Sequence, residues 1–252
     1  MQTLRLPDGL LLRYHDLPGT GVPLVFVHGL GCASSCDYPA VARGATLAAR
    51  RVVLLDLPGH GFSDKPASFG YGIDAHAAAV GALAHHLGVD AIDLFGHSMG
   101  GAVAIVAAAA PDTRVRRLVL SEPNLDVGGG MFSRAIASVS EADYVGHGHA
   151  ADIRAAATDS PAWSASLAVA APWAVHRDAV SLVAGSAPSW RELLLGLALP
   201  RTVIFGSLSL PDDDHAGLPA QGVRVDVVPD AGHSMAVENP DGLARAIARA
   251  LA

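Results

Sequence analysis

Cysteine is scarce in this 252-residue chain, and the two present, Cys32 and Cys36, lie four apart in one short segment. That spacing is not a disulfide framework, and without further Cys or His at ligand spacing it is not a zinc site, so two reduced thiols are expected. Lysine is scarcer still, Lys65 being the only one. The formal net charge is -7, which leaves no basic field to hold a phosphate backbone or an anionic membrane. Nucleic acid and membrane are therefore not expected partners. Long apolar runs are missing too: the longest strongly apolar stretch, Ala102 to Ala110, falls far short of the roughly 18 to 20 residues of a membrane span. The first twelve residues show no basic segment followed by an apolar one, so no signal peptide is expected and the cytoplasm is the expected location. Charged residues make up only 16% against 51% hydrophobic, which excludes a disordered chain and predicts a large core. The length suits one domain carrying an insertion.

Short apolar runs bounded by Gly, Pro or Asp recur at 10–14, 24–28, 52–56, 92–95, 118–120, 202–205 and 223–228. Several are β-branched and too short for helices, so they read as strands buried on both faces. Alanine-rich helical patterns lie between them at 40–49, 75–87, 99–110 and 242–251. This alternation predicts an α/β fold with a mostly parallel sheet flanked by helices. The rhythm breaks between Pro123 and Leu199, a stretch that holds all three tryptophans and reads as short helices. It is expected to be a small helical cap (123–199) inserted into a core of 1–122 and 200–252. Gly128 to Gly130 reads as a loop or hinge.

The strongest chemical signal is Gly96-His97-Ser98-Met99-Gly100, between an apolar strand and a helix. A nucleophile on a sharp strand-to-helix turn needs small residues on either side, and the helix start leaves the Met99 N–H free for an oxyanion. Ser98 is thus the candidate nucleophile. His97 is expected to pack or hydrogen-bond on the opposite side of the turn rather than act as the base.

Together with Val25-Phe26-Val27-His28-Gly29-Leu30-Gly31, the segment from Asp56 to Asp64 (DLPGHGFSD) and Ala231-Gly232-His233, this elbow resembles the α/β-hydrolase family, with four motifs in the family's order. The resemblance implies an eight-stranded sheet, a cap over the strand ends, a Ser, acid, His triad, and Leu30 N–H as a second oxyanion donor. His233 matches the family's late histidine and is the candidate base. The family's usual acid position falls on Ser209, which cannot supply a charge. Glu122 lies 24 residues after Ser98, as in the zearalenone lactonase group and some haloalkane dehalogenases, and is the first choice. Asp212, Asp213, Asp214 and Asp126 remain open.

The implied chemistry is acyl transfer to water by a metal-free, cofactor-free serine hydrolase acting on a small hydrophobic ester or lactone. C–C bond hydrolysis and cofactor-free perhydrolysis use the same triad and stay open, as does a hydrolase-fold binding protein or receptor with little turnover. Trp163, Trp173, Val169 and Leu194 are expected around an apolar pocket, with Met131, Phe132 and Tyr144 lining or packing the cap. The pairs around His85, His86, His147, His149 and His215 read as structural or surface groups. His60 and Ser63 read as turn chemistry. The oligomeric state is not legible.

Overall fold

The computed structural model describes residues 1–252. Its centre is an eight-stranded sheet of β1 (Gln2–Arg5), β2 (Leu11–Leu17), β3 (Thr20–Val27), β4 (Arg50–Asp56), β5 (Ile92–His97), β6 (Val115–Ser121), β7 (Arg201–Gly206) and β8 (Arg224–Val228). The strand order is β1-β2-β4-β3-β5-β6-β7-β8, with the β1/β2 and β2/β4 pairs antiparallel and the rest parallel. The sequence pattern missed β1, a four-residue edge strand with three exposed positions, because no buried face imposes alternation on it.

Inner strands are apolar on both faces because helices cover both. Val25, Val27, Val53, Leu55, Leu94 and Leu120 face one layer, and Leu24, Phe26, Val52, Leu54, Phe95 and Val119 the other. The second layer is α1 (Pro39–Arg43) and α10 (Pro240–Ala250). The first is α2 (Ile73–His86) and α3 (Met99–Ala109), joined by part of the helical segment between β6 and β7. Each buried Leu or Val contributes about 1.5–3 kcal/mol against the entropy of ordering the chain. The helix expected over 40–49 stops at Arg43, where Gly44 leaves helical geometry beside Ala244 of α10 and residues 45–49 continue as turns.

Between β6 and β7 the chain forms no strand. It runs through α4 (Met131–Ala137), α5 (His149–Asp159), α6 (Pro161–Ala168), α7 (Pro172–Ala184) and α8 (Trp190–Gly196), then α9 (Asp213–Gly217) follows β7. No helix is long and apolar enough to cross a membrane. Because β3 and β5 to β8 run parallel, the loops that leave their carboxyl ends gather at one edge of the sheet, where open α/β sheets place their ligands.

Candidate active site

At that edge a cavity of about 570 Å³ is lined by Leu30, His97, Ser98, Glu122, Ser209 and His233, among others. Ser98 caps α3 with φ 52° and ψ −119°, a left-handed position costly for a side chain with a Cβ. The turn is tight enough that a Cβ on Gly96 would lie 2.3 Å from Gly100 O, and one on Gly100 2.4 Å from His28 O. Both glycines are thus required by close backbone approach. The turn is pinned from outside: Ser98 N–H donates to Ser121 O at 3.0 Å, and Asn124 N–H donates to Ser98 O at 3.3 Å.

Register explains how Glu122 arrives there. In the parallel β5/β6 pair His97 sits opposite Ser121, so the residues that follow each strand, Ser98 and Glu122, leave the sheet side by side. Glu122 Oε1 accepts the Gly206 N–H at 3.0 Å, and Oε2 lies 2.7 Å from His233 Nδ1. Burial alone would raise the carboxyl, but hydrogen bonds from His233, Gly206 and Ser209 outweigh it and hold Glu122 at about 2. Facing a carboxylate, Nδ1 carries the imidazole proton and Nε2 keeps its lone pair. The loop carrying His233 crosses so close to β7 that a Cβ on Gly206 would lie 2.3 Å from Ala231 O. Gly232 N–H to Glu238 Oε2 (2.8 Å) and Leu208 N–H to Ala231 O (2.9 Å) hold it. Ser98 Oγ and the half-exposed imidazole line one cavity without a hydrogen bond between them, as is common before a substrate tightens such a site.

The other carboxylates are engaged elsewhere. Asp126 and Asp214 both grip Arg191, Asp212 caps α9 by accepting from the Asp214 and His215 amides, and Asp213 opens that helix. His97 does not turn away from the site as expected: its ring lies 4.7 Å from that of His233. Its Nδ1 is 2.8 Å from Ser121 Oγ and 3.2 Å from Ser121 O, and since a carbonyl only accepts, Nδ1 is the protonated nitrogen. Burial pushes its pKa down to about 3, so it stays neutral beside His233.

The loop after β3 is built with equal economy. Leu57 N–H donates to His28 Nε2 at 3.0 Å, which puts the proton on Nδ1, and Nδ1 donates to Gly29 O at 2.9 Å. Cys32 N–H reaches the same carbonyl at 3.2 Å. With the Gly29 carbonyl so held, the Leu30 N–H of the same trans peptide points the opposite way, and it donates to no group of the protein. The Met99 N–H belongs to the first turn of α3 and has no acceptor within that helix.

The pocket walls differ from expectation. Trp163, Met131, Phe132, Leu125, Leu182 and Phe205 line the cavity. Leu194 is instead sealed in the core, Val169 faces solvent and Trp173 packs beside Tyr71, whereas Tyr144 packs against His149 and His176, one of the two roles expected of it. Of the other histidines, His86 packs against Tyr14, His149 against Tyr144 and His215 against Phe205, while His85 and His147 are exposed. Ser63 Oγ donates to Asp56 O at 2.6 Å, the turn role expected of it. Sequence reasoning missed a buried group: His76 Nε2 lies 2.8 Å from Asp178 Oδ1 of α7, with His60 Nε2 3.6 Å from Oδ2. No local signal marks a pair 102 residues apart.

A sequence profile described as the alpha/beta hydrolase fold matches residues 22–190. The chain belongs to the α/β-hydrolase family. Among solved structures this hydrolase superposes on a thermophilic esterase from Thermogutta terrifontis with a TM-score of 0.80 and 24% identity, covering 100% of this chain and 98% of that one. It superposes on the enol-lactonase from Burkholderia xenovorans LB400 with 0.79 and 21%, covering 99% of each. At such identity these likenesses concern the fold alone. A curated relative, 2-hydroxy-6-oxo-2,4-heptadienoate hydrolase of Pseudomonas putida, is 35% identical over 121 residues, 46% of this chain and 42% of that protein. The chain spans 30% to 42% of the length of the first curated relatives it matches.

Proposed function

We propose that this hydrolase cleaves neutral carboxylic esters or lactones through an acyl-enzyme on Ser98, with a helical cap of residues 123–199 over a core of 1–122 and 200–252. The observation that carries the reading is the 2.7 Å contact of Glu122 with His233 beside Ser98 in one cavity. In this mechanism His233 Nε2 takes the Ser98 proton as Oγ adds to the carbonyl carbon, and the Leu30 and Met99 N–H groups hold the oxyanion. The protonated His233, steadied by the Glu122 carboxylate, returns its proton to the leaving alcohol. Water, deprotonated by the same imidazole, then splits the acyl-enzyme to free acid and Ser98. His28 serves by aiming the Leu30 amide, and the Gly206 N–H by holding the carboxylate that stands in for the usual acid.

C–C bond hydrolysis is the second reading, favoured by the likeness to a heptadienoate hydrolase. The cavity speaks for uncharged substrates. Six carboxylates line it (Asp37, Glu122, Asp159, Asp212, Asp214 and Glu238) and no Lys or Arg does. A substrate bearing its own carboxylate would meet repulsion with no cationic partner. The test is a panel of a neutral aryl ester, a neutral lactone and a carboxylate-bearing dienoate, run on the wild type and Ser98→Ala. Turnover of the neutral ester or lactone that falls at least about 10³-fold in Ser98→Ala is expected. Faster cleavage of the dienoate would transfer the protein to C–C hydrolysis, and no turnover by a folded protein would make it a binding protein.

A further inference from the structure

The cap does more than wall the pocket. Helix α6 lies against the segment that follows β3, residues 29–37, and makes three contacts with it. The Trp163 indole N–H donates to Leu30 O at 3.0 Å. Ser166 Oγ donates to Asp37 Oδ1 at 3.2 Å. Leu167 is so close that a Cβ on Gly31 would lie 2.8 Å from its Cδ1 and 3.1 Å from Trp163 Nε1. The Trp163 and Leu167 contacts fall on a four-residue turn, Gly29 to Cys32, closed by Cys32 N–H to Gly29 O. Gly31 has φ +68° and Leu30 is not among the positive-φ residues, which makes this a type II turn. Types I and II differ by a flip of the central peptide, here Leu30 to Gly31, and its carbonyl is the one that Trp163 holds. The indole ring is itself steadied by Phe132 of α4, 5.0 Å away centroid to centroid.

We propose that Trp163 is a positioning residue for the acyl-transfer reaction: from the cap it holds the Leu30–Gly31 peptide of the type II turn and so anchors, on its carboxyl side, the residue whose amide is aimed for the oxyanion. The inference rests on the proposed oxyanion role of Leu30. His28 fixes the peptide before Leu30 and Trp163 the peptide after it, so the residue is clamped on both sides by side chains from different layers. Without the indole donor the Leu30 carbonyl loses its partner and the Leu30–Gly31 peptide is free to flip, so that the Leu30 N–H, on the preceding peptide, is held from the His28 side alone and its aim loosens. The loss should appear when charge develops on the substrate oxygen, and less when the neutral ester binds.

The test is Trp163→Phe, which keeps an aromatic ring against Phe132 and removes the donor. Removal of a whole oxyanion donor costs about 10²–10³-fold in kcat, so loss of its support is expected to cost about 10- to 100-fold. KM for a 4-nitrophenyl ester should change less than about threefold. Affinity for a trifluoromethyl ketone, which forms a tetrahedral adduct on Ser98, should fall in step with kcat/KM, while ester binding measured in Ser98→Ala with and without Trp163→Phe stays equal. Unchanged kcat, or equal losses in kcat and ester binding, would overturn the proposal. Ser166→Ala loosens the same helix but spares the indole bond; it should lower Tm and leave kcat, and an equal loss of kcat would also overturn it. If Trp163→Phe does not fold, the benzothienyl isostere at position 163, which keeps the fused ring and lacks the N–H, is judged by the same criteria. Should Ser98→Ala keep wild-type turnover, it is the acyl-enzyme reading that fails, a result separate from any effect at Trp163.

Discussion

Replacing Glu122 by Gln keeps its size and the acceptor for the Gly206 N–H, so the fold around β6 and β7 should survive. What changes is the group presented to His233 Nδ1. The carboxyl is held from its ordinary 4.5 down to about 2. At 1.36 kcal/mol per pKa unit that is roughly 3 kcal/mol of preference for the ionised acid. Water reaches the half-exposed imidazole, so solvent screening trims the share available to an imidazolium to about 2 kcal/mol, or about 30-fold in rate. The amide also offers N–H donors where the carboxylate only accepted, which favours the imidazole tautomer with its proton on Nε2, unable to act as base. That second effect takes the expected loss in kcat to about 10³–10⁴-fold with KM little changed. Stopped-flow hydrolysis of a neutral aryl ester measures it. The Glu122→Gln, Ser209→Asp double variant should recover part of the loss, because Ser209 lines the same cavity as Glu122 and His233. A Glu122→Gln enzyme within tenfold of wild type, or an equal loss in Asp212→Asn, would refute the reasoning.

Burial raises Asp37 to about 6, above its ordinary 3.8, so the folded state binds this proton more tightly than the unfolded one. Stability from this group therefore falls as pH rises from about 4 to 6. Asp37→Asn should raise stability by about 1–3 kcal/mol at pH 8 and by much less at pH 4, read by urea unfolding at both values. Gly100→Ala would force a Cβ within 2.4 Å of the His28 and Val27 carbonyls, so activity should drop at least about 10³-fold or the variant should fail to fold, read by ester turnover beside circular dichroism.

The parallel core was legible because buried parallel strands leave continuous apolar runs, whereas β1, exposed on an edge, carries no such mark. The Ser98 turn was legible because steric crowding at Gly96 and Gly100 admits few residues. The interval from Ser98 to Glu122 is the length of one β-α-β crossover whose register sets their parent strands level, so a count along the chain becomes a distance in space. The contact of Glu122 with His233 spans 111 residues, and its choice over Asp212 or Asp214 depends on how the loop after β7 folds and on where Arg191 arrives from α8. The pocket walls were least legible. Trp163 and Trp173 are alike in sequence context, yet one faces the cavity and the other packs beside Tyr71, because helix rotation between β6 and β7 is set by tertiary packing.

The central claim is that a nucleophilic Ser98 is served by His233. Treatment with a fluorophosphonate followed by peptide mass spectrometry tests it most directly. One adduct on Ser98, formed at least about a hundredfold more slowly in His233→Ala and absent from Ser98→Ala, is the expected result. Modification at another residue, or a labelling rate indifferent to His233, would contradict it.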